Sequence, residues 1–272
     1  MTPAERSPFE RLMRLTPVGP GRYQADTDPG WNGTAAPNGG VLAALMVRAV
    51  ETSFGRAQRP VRTISTHYLD APAPGPVEVS VQELRGGKRV AVYDARITQG
   101  GRLMVQGTIV CSAARAQSSE RREPPPEAPA SDELEILEMP AMPGRPPVFQ
   151  KLEMRPAFGA LPMSGAEEAL AGGWLAIRGD DAELDAARLT AMCDLWWPAI
   201  FPTLAVPDGA PTLQLTVYLR ETAGGVRAPV LARFRTATMA EGHFEERGEL
   251  WSADGRLLAE SMQLALLLPL TR

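Results

Sequence analysis

The chain has 272 residues, 44% hydrophobic and 22% charged, which suits roughly two globular domains that each bury a core. A net charge of −4 with no basic tract excludes a nucleic-acid binder of the usual kind, so any phosphate-bearing ligand must be held by local cations. Cys111 and Cys193 share no motif, and two histidines leave little material for a metal site, so a reducing, cytoplasmic setting with no metal and no cofactor is expected.

Residues 1–15 alternate charge with apolar groups and lack the continuous apolar core of a secretion signal. The segment 28–33 reads as loop. Asn38-Gly39-Gly40 then leads into an apolar-periodic stretch over 41–54 that predicts a helix. Strands are expected over 62–69, 77–84, 91–98 and 103–112, rich in Val and Ile and parted by turns such as Gly86-Gly87. Proline and charge dominate 116–147, a composition that bridges lobes without packing a core. This divides the chain into a first lobe over 1–115, a linker, and a second lobe over 148–272. The second lobe repeats the order, with a helix over 185–201 and strands near 212–220, 230–237, 244–252 and 257–268. Its apolar run at 264–270 is far short of a membrane span.

The two halves share landmarks. Gly101-Arg102-Leu103-Met104 is echoed by Gly255-Arg256-Leu257-Leu258, and Thr66-His67-Tyr68-Leu69 by Thr216-Val217-Tyr218-Leu219, each about 150 residues on and in the same order. A duplicated α+β unit follows, one helix burying its stripe on an antiparallel meander, twice. The strands of one lobe are also able to join those of the other.

A few polar residues stand in apolar surroundings. Asp194 is the only carboxylate in 186–201, three residues before Trp197, so it sits beside the apolar stripe of the expected helix. Partial desolvation there would raise its pKa and suit a base; the alternative is a carboxylate on the solvated helix edge. Gln263 shares its strand face with Ala259, Ser261 and Ala265, while Leu258, Met262, Leu264 and Leu266 mark the strand as buried. Small neighbours leave room for a ligand or water, and the alternative is an exposed amide on an edge strand. Thr212 starts a strand with Leu213, Leu215, Val217 and Leu219 on one face, so alternation aims its hydroxyl to the other, with Gln214 and Thr216. By itself it reads as an ordinary β-branched strand residue. Gly39 and Gly40 at a helix entry would offer N–H groups to an oxygen or simply form a tight turn, and the two roles are compatible. No G-x-S-x-G elbow, Walker motif or dinucleotide fingerprint is present.

Trp31, the run Pro37-Asn38-Gly39-Gly40-Val41-Leu42-Ala43-Ala44-Leu45, and Ser65-Thr66-His67-Tyr68-Leu69-Asp70-Ala71-Pro72, together with Asp194, Thr212 and Gln263, resemble the double-hotdog acyl-CoA thioesterase II family. The resemblance spans almost the whole chain outside the linker. It implies an α+β double hotdog that hydrolyses acyl-coenzyme A, with Asp194, Thr212 and Gln263 binding and activating the attacking water. Gln214 departs from the family pattern, which carries aspartate there, and this bears on substrate preference. With that reading, Gly40 and Gly39 would polarise the carbonyl, Trp196 and Trp197 would line the substrate pocket, and Arg220 and Arg227 are candidates for the coenzyme A phosphates. The rivals are a non-catalytic acyl-ligand or acyl-carrier binder and a hotdog dehydratase, for which only His67 would serve as the catalyst. One working site per chain is expected, since Asp194 aligns near Ala44 and Gln263 with Ile109 in the first lobe. A homo-oligomer stays open.

Overall fold

The computed structural model describes residues 7–33, 36–55, 59–115, 121–142, 144–206, 208–220 and 224–269. In chain order the first lobe has α1 (Pro8–Leu12), β1 (Thr16–Gly19), β2 (Arg22–Thr27), α2 (Gly39–Phe54), β3 (Val61–Tyr68), β4 (Gly75–Arg85), β5 (Val90–Gln99) and β6 (Arg102–Ser112). The second has β7 (Leu152–Gly159), β8 (Leu170–Ile177), α3 (Ala186–Met192), β9 (Asp208–Gly209), β10 (Thr212–Leu219), β11 (Val230–Arg235), β12 (Met239–Ala240), β13 (His243–Trp251), β14 (Leu257–Leu266) and β15 (Leu268–Pro269).

Among the described residues thirteen strands form one antiparallel sheet, in the order β1-β2-β4-β5-β6-β3-β10-β14-β13-β11-β8-β7, with β12 on β13. The order reads the same from both ends once the lobes are exchanged. Its centre is the seam between β3 and β10, where Thr66 faces Leu215 and Ser65 faces Thr216; the matching bulges of the two strands place a pseudo-twofold axis at the Ser65–Thr216 pair, so Thr66 corresponds to Val217 and the Thr-x-Tyr-Leu echo lies one residue out of step. Ser65 and Thr216 share a hydroxyl hydrogen bond across the seam at 2.9 Å, and Thr66 donates to the Leu215 carbonyl at 3.0 Å.

Asn38 caps α2 by accepting the Val41 N–H at 3.1 Å, and every residue from Gly40 to Glu51 is buried, as a helix apolar all round requires. It packs on β3 to β6 and on α3. Helix α3 is the main departure from expectation, stopping at Met192 where 185–201 reads as one helix. Pro198, which lacks an N–H and biases Trp197 out of the helical region, bars a helix from running through to 201, and the chain tightens already after Met192, where the Asp194 and Leu195 N–H groups turn to carbonyls three residues back. Asp194 therefore lies just beyond the helix, in that turn, with its N–H on the Ala191 carbonyl at 2.9 Å.

The proline-rich stretch also differs from its composition. Ala128 and Leu134 cover Trp174, Leu231 and Trp251 on the outer face of the second lobe, and the Trp174 indole donates to the Pro129 carbonyl at 2.9 Å. Few residues are needed to shield three large side chains that the sheet itself leaves on its outside. Among the described residues, no helix is long and apolar enough to cross a membrane.

Candidate active site

The turn after α3 drives Asp194 against the N-terminus of α2. Its Oδ2 accepts the Gly40 N–H at 2.8 Å and the Asn38 Nδ2–H at 3.0 Å, and Asn38 Nδ2 also reaches the Asp194 carbonyl at 2.7 Å. Oδ1 has no hydrogen-bond partner among the described residues. The carboxylate thus has one structural oxygen and one spare. Burial raises its pKa to about 6, against the pull of the Gly40 and Asn38 hydrogen bonds. Such close approach requires glycine: a Cβ on Gly40 would stand 2.7 Å from Asp194 Cβ and 2.8 Å from the Ala191 carbonyl oxygen. Both glycines are helical, so close contact and not an unusual backbone angle explains Gly40. Its N–H is spent on the carboxylate. The Gly39 N–H is not taken by any acceptor among the described residues, and the Tyr68 hydroxyl donates to the Gly39 carbonyl at 2.7 Å. Burial and the nearby Asp194 push the Tyr68 phenol up, keeping it a donor.

Thr212 and Gln263 are joined directly, the hydroxyl donating to Oε1 at 2.9 Å. Strict alternation would have aimed Thr212 away from Leu215. A β-bulge between Thr212 and Gln214 reverses that parity, so Thr212 faces Ala265 and shares the inner face with Gln263. The faces of β14 are likewise opposite to a hydrophobicity reading: Ala259, Ser261, Gln263 and Ala265 are buried, whereas Met262 and Leu264 are 44% and 41% exposed. Small residues face inward because the helices and the site approach the sheet there.

Sequence reasoning missed Glu246. It lies on β13 opposite Gln263, is 4% exposed, accepts Gln263 Nε2–H on Oε1 at 2.7 Å and takes the Ala199 N–H on Oε2. Burial raises its pKa to about 7, its two hydrogen bonds oppose that, and the Asp194 charge adds to the rise. The signal was available in the alternation Phe244, Glu246, Gly248, Leu250, which puts an acid on a buried face. Asp194 is not hydrogen-bonded to Thr212 or Gln263; the turn that carries it meets their cluster through the Ala199 N–H, which Glu246 accepts.

Other candidates fall elsewhere. His67 is exposed on the outer face opposite Gln214, whose amide donates to Thr216 at 2.6 Å, so neither enters this cluster. Arg220 pairs with Glu260, and Arg227 holds the Asp181 carbonyl and lies 4.0 Å from Glu183. Trp196 and Trp197 are buried in the turn after Asp194 with ring centroids 4.9 Å apart, and neither indole N–H has an acceptor among the described residues. Among the described residues no group of His, Cys, Asp and Glu is arranged to hold a metal. An open groove of about 660 Å³ between Gly30 and the end of the proline-rich stretch is lined by Met142, Pro147 and Gln150, with Arg145, which donates to the Pro140 carbonyl at 2.8 Å, and Lys151; neither cation has a carboxylate partner among the described residues.

The pseudo-equivalent position in the first lobe is built differently. A bulge between Val61 and Thr63 matches the one in β10. From that register Val61, Ile109 and Tyr93, all buried and lacking a carboxylate, correspond to Thr212, Gln263 and Glu246. Asp185 caps α3 as Asn38 caps α2. It meets a cation and not an acid: Arg48 reaches Asp185 at 3.0 Å and Glu10 at 3.0 Å, and Arg188 bonds Asp180, Asp185 and Glu10. This second corner is filled by a buried ion-pair network.

Residues 27–112 match the family of acyl-CoA thioesterase N-terminal domains, and residues 120–267 match the acyl-CoA thioesterase C-terminal domain. A solved hot dog fold protein of unknown function from Alicyclobacillus acidocaldarius superimposes with a TM-score of 0.86 at 22% identity, covering 97% of this chain and 98% of that one. The acyl-CoA thioesterase II TesB2 of Mycobacterium marinum does so with a TM-score of 0.76 at 16% identity, covering 97% and 99%. An uncharacterized protein of Mycobacterium tuberculosis is 30% identical over 112 residues, which is 37% of this chain and 38% of the relative's length. The duplicated helix-on-sheet architecture, joined at a strand seam and matched over both halves, makes this chain a double-hotdog member of the acyl-CoA thioesterase family.

Proposed function

We propose that the chain hydrolyses acyl-coenzyme A thioesters through direct attack of a water molecule, with no covalent enzyme intermediate. The observation that carries this reading is the divided carboxylate of Asp194, with Oδ2 anchored by two donors and Oδ1 spare, in a setting that brings its pKa to about 6. A base of that strength is ionised at neutral pH and still accepts a proton usefully. Oδ1 takes a proton from the water as its oxygen bonds to the thioester carbon. The carbonyl oxygen, gaining charge, turns to the Gly39 N–H at the positive end of α2. Gly40 serves the carboxylate instead of the carbonyl. Collapse of the tetrahedral adduct breaks the C–S bond, and the departing thiolate receives the proton, leaving a carboxylic acid and a thiol. Thr212, held by Gln263, steadies the water.

Trp196 and Trp197 are buried with their rings in contact in the turn after Asp194, and they are assigned to the apolar wall behind the acyl chain. The phosphates of coenzyme A are assigned to the groove bearing Arg145 and Lys151, because Arg220 and Arg227 lie beside the carboxylates Glu260 and Glu183, whereas Arg145 holds only the Pro140 carbonyl. The test is free-thiol release from a panel of acyl-coenzyme A esters of increasing chain length. Turnover of one ester, rising with pH through about 6, supports the reading. Tight binding of every ester without thiol release would make the protein an acyl-ligand binder.

A further inference from the structure

The polar chain behind Thr212 is ordered by donors and acceptors in one direction only. Glu246 presents both oxygens to N–H groups, Oε2 to Ala199 and Oε1 to Gln263. An ionised carboxylate accepts and does not donate, so the Gln263 amide must turn its Nε2 toward Glu246. Its Oε1 is then left facing Thr212. Since that oxygen can only accept, the Thr212 hydroxyl must spend its single proton on it, at 2.9 Å. Thr212 has only lone pairs left for the site.

We infer that Glu246 is a positioning residue which, through Gln263, sets the direction of the Thr212 hydroxyl so that the attacking water can only donate to it. This deepens the thioesterase reading and rests on it. A water that gives one O–H to Thr212 and the other to Asp194 Oδ1 has both protons engaged and its lone pairs turned to the substrate carbon. If Thr212 donated instead, it would occupy a lone pair of the nucleophile. The relay thus removes the unreactive orientation.

The surroundings fit this role. Asp194 is the charged group that acts on Glu246 from the turn after α3. The charged residues beside it on β13, Glu245, Arg247 and Glu249, alternate onto the outer face of the sheet, as do Arg233 and Arg235 on β11 and Glu260 on β14. Protonation of Glu246 would give it a hydroxyl able to donate to Gln263 and would release the amide from its fixed sense. The relay is therefore complete only above about pH 7.

Glu246→Gln tests the inference, because one carboxamide cannot accept from Ala199 and Gln263 through both of its heavy atoms. The expected result is a drop of about tenfold or more in kcat with KM little changed, and loss of the ionisation near pH 7 from the pH profile while the one near 6 stays. The double variant E246Q/Q263E should recover part of kcat: the carboxamide introduced at position 246 then accepts from Ala199 and donates to the carboxylate introduced at position 263, which still accepts from Thr212. An unchanged kcat in E246Q, or a loss that the exchange does not reverse and that leaves the pH profile in place, would overturn the relay while wild-type turnover leaves the thioesterase reading intact. A second measurement needs no substrate. In a ¹⁵N–¹H spectrum assigned with a Gln263→Leu variant, the Gln263 side-chain amide should shift on titration through about pH 7 in the wild type and stay fixed in E246Q. A Gln263 amide unmoved between pH 5.5 and 8.5 would sink the inference even if no ester were turned over.

Discussion

Replacing Asp194 by Asn should abolish turnover and stabilise the protein, two effects of opposite sign from a single oxygen-to-nitrogen exchange. Both structural hydrogen bonds fall on Oδ2, so the amide oxygen of an Asn can take over the Gly40 and Asn38 contacts unchanged. The NH₂ group then stands where Oδ1 was and cannot accept a proton. Loss of a positioned general base costs about 10²- to 10⁴-fold in kcat, or roughly 3–5 kcal/mol in the barrier. The stability effect follows from linkage. Asp194 has its folded pKa raised from 3.8 to about 6, so between these values the folded state holds more protons than the unfolded one, and wild-type stability falls as pH rises through that window. Above pH 6 the ionised, buried group costs up to about 3 kcal/mol relative to a neutral one. D194N escapes that cost, less what its unpaired N–H groups forfeit. Urea melts at pH 4, 5, 7 and 8 should show the variant level with wild type at the acid end and ahead of it at pH 8. Thiol release within threefold of wild type would refute the base assignment, and a variant less stable than wild type at pH 8 would refute the desolvation argument.

Gly40→Ala should cost about 1–3 kcal/mol by overpacking, since its methyl meets Asp194 and the Ala191 carbonyl, and turnover should fall with it as the carboxylate is displaced; thermal melts and kcat on the same sample check both. A non-hydrolysable acyl-coenzyme A analogue should saturate at one equivalent per chain by calorimetry, because the pseudo-equivalent corner holds Arg48, Arg188 and their carboxylates, and a stoichiometry of two would contradict this. Reversing charge with Arg145→Glu and Lys151→Glu should raise KM for acyl-coenzyme A about tenfold or more and leave hydrolysis of the matching acyl N-acetylcysteamine ester unaltered. Equal effects on both esters would remove the groove from the phosphate site.

Much of this fold is written locally. The helix at Gly39–Phe54 and eight of the strands follow from apolar spacing and Gly or Pro turns, which depend only on near neighbours along the chain. The repeated Gly-Arg-Leu landmark carries the duplication in register, at the offset that also relates Ile109 to Gln263, whereas the Thr-x-Tyr-Leu echo marks the right pair of strands one residue out of step. Asp194, Thr212, Gln263 and the glycine pair are likewise legible as polar or small residues among apolar ones. What the tertiary structure alone decided is direction. A one-residue bulge in β10 turns Thr212 to the inner face, and no periodicity records a bulge. The inner face of β14 is the one with small residues, because helices press close on it, while Met262 and Leu264 stand outside. Pro198 keeps α3 from running on to 201, yet only the approach of α2 from the other lobe makes the turn after Met192 a place where Asp194 meets Gly40 and Asn38, more than 150 residues away in sequence. Glu246 belongs to the same class. An acid on an inward strand position is a local oddity until the neighbouring strand brings Gln263 against it, and hydrogen bonds between residues distant in sequence are set by register and packing, which only the folded chain determines.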